Sequence, residues 1–191
     1  MLEVYWNNSF KGFPPIAYEL KHAFKDRWVR FHTLPESKRY PENEEEYQEI
    51  ISRHNKILSE VTKSNNEVYM VGVEYSDSLV PPGKGKNTKG ILDNPVYWVA
   101  VPMHEPGEAE EFHSYFHLYY EKSNWNAGQL DTLFRLVADE EISNFMVVSE
   151  ALDWVFHPYD GGVDLILKNE SEMEKLRSRF EDWLSSHSSG M

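Results

Sequence analysis

The stretch 154–167 constrains the fold of this chain more than any other. Two apolar runs, 152–157 and 163–167, flank the tripeptide Asp160-Gly161-Gly162. Asp-Gly and Gly-Gly pairs supply the positive φ angles that two-residue hairpin turns need. The stretch therefore predicts two antiparallel strands joined by a tight turn, and hence a domain that contains a β-sheet.

Four polar residues of this hairpin form a candidate functional turn: His157, Tyr159, Asp160 and Asp164. A carboxylate beside a turn often accepts hydrogen bonds from nearby backbone N–H groups, which is the structural interpretation. The functional interpretation gathers His157, Asp160 and Asp164 around one site, as metal ligands or as an acid/base pair. Both interpretations stay open at the level of sequence.

The rest of the chain alternates between helical and extended patterns. Apolar periodicity predicts helices at 14–24, 44–61, 125–138 and 169–184, and strands at 27–33, 67–75, 96–103, 111–121 and 144–149. Strands that arrive in groups joined by short turns favour an α+β domain. We expect one domain over residues 1–191, with a mixed or antiparallel sheet of about six to seven strands and helices packed mainly on one side.

The predicted strand 111–121 has a two-residue period that places His113, Tyr115, His117 and Tyr119 on one face. Histidines four residues apart on a strand are about 13 Å apart, so these two cannot share a metal ion. The face is either the wetter side of the sheet or the floor of a polar pocket. Because tyrosine and histidine are amphipathic, it is a candidate binding face.

The segment 76–92 is rich in proline, glycine and lysine, and Lys84, Lys86 and Lys89 make it the basic patch of an acidic chain. It is not a P-loop, because Val80 stands where that motif needs glycine and Thr88 comes one residue too late. Long loops are commonly functional or disordered. We expect a mobile loop, or alternatively a contact for an anion or a partner.

Composition excludes several classes of protein. The net charge of −13 repels nucleic acid and favours a basic partner. The chain contains no cysteine, which fits a reducing compartment and excludes thiol chemistry. We find no signal-peptide pattern at the start and no apolar run of the ~20 residues that a membrane helix needs. These features predict a cytoplasmic protein without a membrane partner.

The common catalytic patterns are missing from the sequence. It contains no Gly-x-Ser-x-Gly, no His-Glu-x-x-His and no Gly-x-Gly-x-x-Gly. We therefore assign no catalytic residue, no metal ligand and no cofactor.

Three segments carry a resemblance to a family of bacterial proteins of unknown function. They are Trp28-Val29-Arg30-Phe31, the acidic helix 44–61 that leads into an apolar strand, and the turn 159–166 followed by a helix that ends near Trp183-Leu184. The resemblance implies a small α+β protein and supplies no catalytic residues. Small acidic bacterial proteins of this kind are also similar to immunity proteins, which neutralise toxins by binding them.

We therefore predict a soluble, non-catalytic protein-binding module, immunity-like, that presents an acidic surface and the His113/Tyr115/His117/Tyr119 face to a protein partner. The alternative is a small metal-assisted or acid/base enzyme that uses the turn 157–164. The sequence leaves the oligomeric state open.

Overall fold

A computed structural model of the chain describes residues 2–85, 88, 90–103 and 114–185. Five α-helices occupy these ranges: α1 (Leu2–Ser9), α2 (Ala17–Ala23), α3 (Glu44–Val61), α4 (Asp131–Ala138) and α5 (Glu170–Arg179). Seven strands accompany them: β1 (Trp28–His32), β2 (Glu67–Ser76), β3 (Val96–Pro102), β4 (Tyr115–Asn124), β5 (Met146–Ser149), β6 (Trp154–Tyr159) and β7 (Gly162–Ile166). Within the described part of the chain, no helix combines the length and the apolar character that crossing a bilayer requires.

The strands form one sheet in the order β1-β7-β6-β5-β2-β4-β3. Every neighbouring pair is antiparallel. The prediction of an α+β domain with an antiparallel sheet of six to seven strands is therefore confirmed. β1 and β3 are the outer strands of this sheet.

Each face of the sheet carries its own core, because successive side chains of a strand point to opposite faces. On one face, α3, α4 and α5 pack on residues such as Phe31, Phe156 and Leu165. The opposite face is covered by α1 and α2, which pack on residues such as Val71 and Val155. Most of the helices thus share one side, as predicted, while α1 is a helix in a segment where the sequence predicted none.

Local chemistry explains where individual helices begin. The side chain of Asn43 accepts a hydrogen bond from the Glu46 N–H at 3.0 Å, and α3 begins at the predicted residue. The helix predicted from residue 125 begins only at Asp131. Gly128 has φ +89°, a left-handed conformation that cannot continue a helix, so residues 127–130 form turns instead.

The hairpin of β6 and β7 closes with the two-residue turn Asp160-Gly161, and Tyr159 pairs with Gly162. The expectation of positive φ angles in this turn is wrong, because neither Gly161 nor Gly162 lies in the left-handed region. Position 162 needs glycine because the structure leaves no room for a Cβ atom there. A Cβ at this position would overlap the Phe31 carbonyl oxygen of β1 and would lie 3.0 Å from the Tyr159 hydroxyl.

Candidate functional site

The predicted turn residues meet a third strand that the sequence did not connect with them. Asp164 of β7 lies between His157 of β6 and Arg30 of β1 in the cross-strand register. The three side chains form one row on the sheet face that carries α2, because the alternate residues belong to the opposite core. We call Trp28, Arg30, His32, His157, Tyr159 and Asp164 the hairpin cluster.

Arg30 and Asp164 form the centre of the hairpin cluster. The Arg30 Nε and Nη2 atoms donate to Asp164 Oδ1 and Oδ2, each at 2.7 Å. The guanidinium lies 5.5 Å from the Trp28 ring centroid and 4.8 Å from that of Tyr159. Asp164 is buried and Arg30 is half-buried. A paired and stacked arginine of this kind holds the carboxylate fixed in place.

Asp160 belongs to a separate ion pair on the turn. Its carboxylate accepts hydrogen bonds from Arg39 Nε and, at 3.1 Å, from Arg39 Nη2. Each of the two predicted carboxylates is thus occupied by its own arginine. In the ranges that the structure describes, no three His, Asp or Glu side chains are placed to hold a metal ion. The metal set of His157, Asp160 and Asp164 is not formed in this conformation.

Both histidines of the hairpin cluster have a lowered pKa. The pKa of His157 is lowered to about 4, mainly by burial; Asp164 opposes this shift, and the charges of Arg30 and Lys21 contribute to it. Burial and the Arg30 charge also lower the pKa of His32. His157 Nδ1, His32 Nε2 and Trp28 Nε1 are buried and have no hydrogen-bond partner among the described residues.

The predicted binding face of β4 lies under the loop that follows β2. Tyr115, His117 and Tyr119 share one face as predicted, and His113 lies outside the described residues. His117 is fully buried, and its Nε2 lies 2.7 Å from the Ser78 carbonyl oxygen. The Tyr119 hydroxyl accepts a hydrogen bond from the Gly83 N–H at 3.1 Å. The loop after β2 therefore contacts the same face of β4 that we predicted as the binding face for a partner.

The same loop donates hydrogen bonds to the carboxylate of Glu74, a residue of β2. Glu74 Oε1 accepts hydrogen bonds from the Gly85 N–H at 3.0 Å, the Thr88 N–H at 2.8 Å and the Thr88 hydroxyl at 2.6 Å. The Lys84 ammonium donates to the Asp93 carbonyl oxygen. Lys86 and Lys89 lie outside the described residues. The mobility predicted for 76–92 stays a prediction.

Sequence reasoning missed the outer position of β3. Within the described ranges its neighbour in the sheet is β4 alone. Apolar side chains are exposed along this strand and on the loop beside it: Leu79, Val80, Val96, Tyr97 and Met103. We call these five residues the β3 edge surface. Strand order cannot be read from periodicity, so no signal in the sequence identified this edge.

A cleft of about 500 Å³ lies between the end of α3 and the start of α5. Trp154 and Leu176 contribute to its apolar floor. Of the cations on its rim, Lys63 and Arg179 both pair with Glu60. Glu60 therefore offsets only part of the charge of these two cations.

Comparison with known protein families gives one match over most of the chain. The profile of DUF3885, described as a domain of unknown function, matches residues 16–188. The match spans α2 to the end of α5, and so includes the hairpin cluster and the β3 edge surface.

Comparisons with curated proteins and with solved structures find no match. The family match nevertheless covers far more than half of the chain. The chain belongs to DUF3885, a family of domains of unknown function.

Proposed function

We propose that this protein is a non-catalytic binding module that contacts a basic protein partner through the β3 edge surface. One observation carries the proposal: the outer strand β3 is apolar from Val96 to Pro102, and Val96, Tyr97 and Pro102 are exposed while the residues between them are half-buried. An outer strand offers unpaired N–H and C=O groups to any extended chain that approaches it. Proteins use such edges for recognition by adding a strand from the partner.

The protection of β3 against other chains is incomplete. Natural sheets shield their outer strands with charged side chains, prolines or bulges. β3 has a register shift between Tyr97 and Val99 and a proline, Pro102, at its end. It has no charged residue between Val96 and Pro102. A bulge at one end and a proline at the other leave the middle of the strand suited to a partner's strand.

The side chains of β3 favour one approach direction. Trp98 packs edge-on against Trp6 of α1 with 5.6 Å between ring centroids, so that face is closed by the chain's own helix. Tyr97 lies on the other face, 5.4 Å from Tyr119 and 6.1 Å from His117. A partner can therefore contact Tyr97 and the neighbouring loop while its backbone pairs with β3.

Charge favours a basic partner. The chain carries a net charge of −13. Asp77 lies near the Pro102 end of β3, because its carboxylate accepts a hydrogen bond from Ser114, the residue before β4. Glu121 lies near the Val96 end, where its carboxylate accepts hydrogen bonds from the Asp93 and Asn94 N–H groups. Acidic groups at both ends of an apolar strand attract a partner with flanking cations.

The proposal includes an immunity-like role, in which binding neutralises a basic toxic protein, and a cytoplasmic location that suits a chain without cysteine. The enzyme alternative has weaker support, because Asp160 and Asp164 are each engaged by an arginine. Each carboxylate would have to leave its arginine before it could act as a general base.

Affinity capture from native lysate, followed by reconstitution of the complex from purified proteins, tests the proposal. The bait is the full chain, the Val96→Lys variant, or Tyr97→Lys. The matched control is Tyr40→Lys, because Tyr40 is 47% exposed, comparable to Tyr97 at 36%, and follows β1 at the other end of the sheet. We expect a stoichiometric basic protein whose affinity falls at least about tenfold in the β3 variants and is unchanged in the control.

Either of two results of the capture experiment contradicts the proposal. One is the absence of any protein that forms a defined complex with the purified chain. The other is a complex that the β3 variants and the Tyr40 variant weaken equally. A third result would also contradict it: the purified chain associates with itself through β3 and no second protein is bound. Sedimentation of the purified chain alone detects such self-association.

A further inference from the structure

The cleft of about 500 Å³ between the end of α3 and the start of α5 has walls from three separate segments of the chain. They are the end of α3 with the residues that follow it, the turn between β5 and β6, and residues 167–179, which follow β7 and include α5. Clefts of roughly 300–1,000 Å³ hold small ligands in many proteins. The size of this cleft therefore suits a small organic molecule.

The floor of the cleft is apolar, and part of it is accessible. Trp154 and Leu176 are buried beneath it, and the Trp154 indole N–H donates to the Val61 carbonyl oxygen at 3.1 Å. Val61 and Leu152 also line the cleft and are only half-buried, so apolar surface remains open there. Because the indole donor is already satisfied, the floor offers a ligand apolar contact and no hydrogen bond from Trp154.

The rim of the cleft has a surplus of positive charge. Its charged side chains are four cations, Lys63, Lys168, Lys175 and Arg179, and two carboxylates, Glu60 and Glu172. The difference is +2, in a chain whose net charge is −13. The cleft therefore attracts anions although the chain as a whole repels them.

The rim cations are accessible to a ligand. Glu60 pairs with Lys63 and with Arg179, whose side chains are 60% and 55% exposed. Ion pairs between exposed side chains contribute little to stability, so a ligand of higher charge can take over these cations. Lys168 is exposed and has no carboxylate partner among the described residues.

Another cleft of about 500 Å³ adjoins the first and shares Glu60, Lys63 and Arg179 with it. It adds Lys56, whose ammonium lies 5.9 Å from the Trp183 ring centroid and pairs with no carboxylate in the described part of the chain. Lys56 raises the surplus of the two clefts together to +3 and extends the positive area along α3. Such an area raises the local concentration of an anionic ligand.

We propose that the cleft between α3 and α5 binds a small organic phosphate monoester, with the phosphate against the rim cations and the apolar part on the floor. A phosphate monoester carries about −1.5 to −2 charge at pH 7, which matches the surplus on the rim. Lysine binds phosphate as a point charge and arginine binds it through a planar fork. The site is formed by α3, α5 and the turn before β6, so it is independent of the proposed function of β3.

Nuclear magnetic resonance of the indole N–H groups tests the proposal on the full chain. Phenyl phosphate is titrated at constant ionic strength, with inorganic phosphate, benzoate and phenol as separate arms. Trp154→Phe identifies the Trp154 signal, and triple-resonance spectra of the parent chain identify it if that variant does not fold. The Trp98 signal is the internal control, because Trp98 packs on the opposite face of the sheet.

We expect phenyl phosphate to shift the Trp154 signal saturably, with a Kd on the order of 1 mM, while the Trp98 signal does not move. Inorganic phosphate lacks the apolar group, benzoate has a single charge, and phenol is neutral. Each should therefore bind at least about tenfold more weakly than phenyl phosphate.

Two lysine variants separate the site from a general effect of charge. Lys168→Gln should weaken phenyl phosphate binding at least about fivefold, and the chain should stay folded because Lys168 is exposed. Lys11→Gln is the matched control. Lys11 is also exposed, and it follows α1, which packs on the opposite face of the sheet. This control variant should bind phenyl phosphate as the parent chain does.

Several results would overturn the proposal. The absence of a saturable Trp154 shift with phenyl phosphate would exclude the site. Inorganic phosphate that binds as tightly would show that the floor is not used, and benzoate that binds as tightly would exclude selection for phosphate. Equal losses in the Lys168 and Lys11 variants, or an equal shift of the Trp98 signal, would mean that the anion acts on the whole chain.

Discussion

Arg30 and Asp164 face each other across β1 and β7 and share two hydrogen bonds of 2.7 Å each. The pair ties the outer strand to the hairpin at a position where the neighbouring residues of both strands are apolar. Removing one member of a buried pair leaves the other charge without compensation, which costs more than the pair itself contributes. The pair therefore adds a side-chain contact to the backbone pairing of β1 with β7.

Replacing Asp164 with asparagine should lower the free energy of unfolding by about 3 kcal/mol at neutral pH, because Arg30 loses its counter-charge in a half-buried site. In a chain of this size that corresponds to roughly 6–12 °C in Tm. Urea unfolding followed by circular dichroism measures the change.

The control is Asp160→Asn, which breaks the ion pair with Arg39. The Arg39 side chain is 60% exposed, so solvent screens its charge and the loss should be at most about 1 kcal/mol. Equal losses in the two variants would show that the burial of Arg30 adds nothing to its pairing energy.

Stability should fall as pH decreases below 6.5. Burial lowers the pKa of His54 to about 3 and that of His157 to about 4, against 6.5 when exposed. Between these pH values the unfolded chain binds protons that the folded chain does not bind. The stability contributed by each neutral histidine is therefore fully present above pH 6.5, and it declines as the pH falls until the pKa of the folded state is reached. Each histidine should remove about 2 kcal/mol between about pH 7 and pH 5.

Urea unfolding at a series of pH values measures this dependence, and His54→Phe tests its origin. His54 stacks on Phe134 with 4.5 Å between ring centroids, so an aromatic replacement keeps much of the packing. The variant should lose stability less steeply than the parent chain on acidification. A slope identical to that of the parent would show that His54 does not carry the effect.

Gly162→Ala should destabilise the chain by about 2–3 kcal/mol, because the added Cβ meets the backbone carbonyl of Phe31, which cannot rotate away. Gly161→Ala is the matched change one residue earlier. Its Cβ would lie 3.1 Å from the Tyr159 ring and 3.4 Å from the Arg39 side chain, both of which can adjust. Thermal unfolding compares the two, and a larger loss at Gly161 would refute the steric explanation.

Glu74→Ala should loosen the loop after β2 without unfolding the sheet. The Thr88 amide donates to Glu74, and hydrogen bonds to a charged acceptor contribute about 1.5–3 kcal/mol. Hydrogen exchange at Thr88 should therefore accelerate by roughly 10–100-fold, while the Val147 amide in the central strand β5 exchanges as before. Glu74→Gln, which keeps an acceptor oxygen, should retain most of the protection. Unchanged exchange at Thr88 in the alanine variant would show that Glu74 does not hold the loop.

Much of the fold followed from local patterns. The hairpin, the capped helix α3 and the alternation of β4 depend on turn chemistry, capping and a two-residue period, which act over a few residues. The early start predicted for α4 was wrong, because the predicted range included Gly128, whose backbone is left-handed.

The site could be predicted only in part. His157 and Asp164 are joined by a hairpin and were placed together from sequence. Arg30 is more than one hundred residues away from Asp164 in the chain, and only strand order brings them into contact. The outer position of β3 is likewise a property of the whole sheet. Periodicity assigns a face to each side chain but assigns no neighbour to a strand.

Site-specific photocrosslinking in intact cells tests the central claim most directly, since it captures a partner whose identity is unknown. A photoreactive phenylalanine analogue replaces Tyr97 on β3 or, as the control, Tyr40 at the other end of the sheet. We predict a discrete crosslinked product from position 97, containing one basic protein, and no equivalent product from position 40. No product from position 97, or the same product from both positions, would contradict a binding surface on β3.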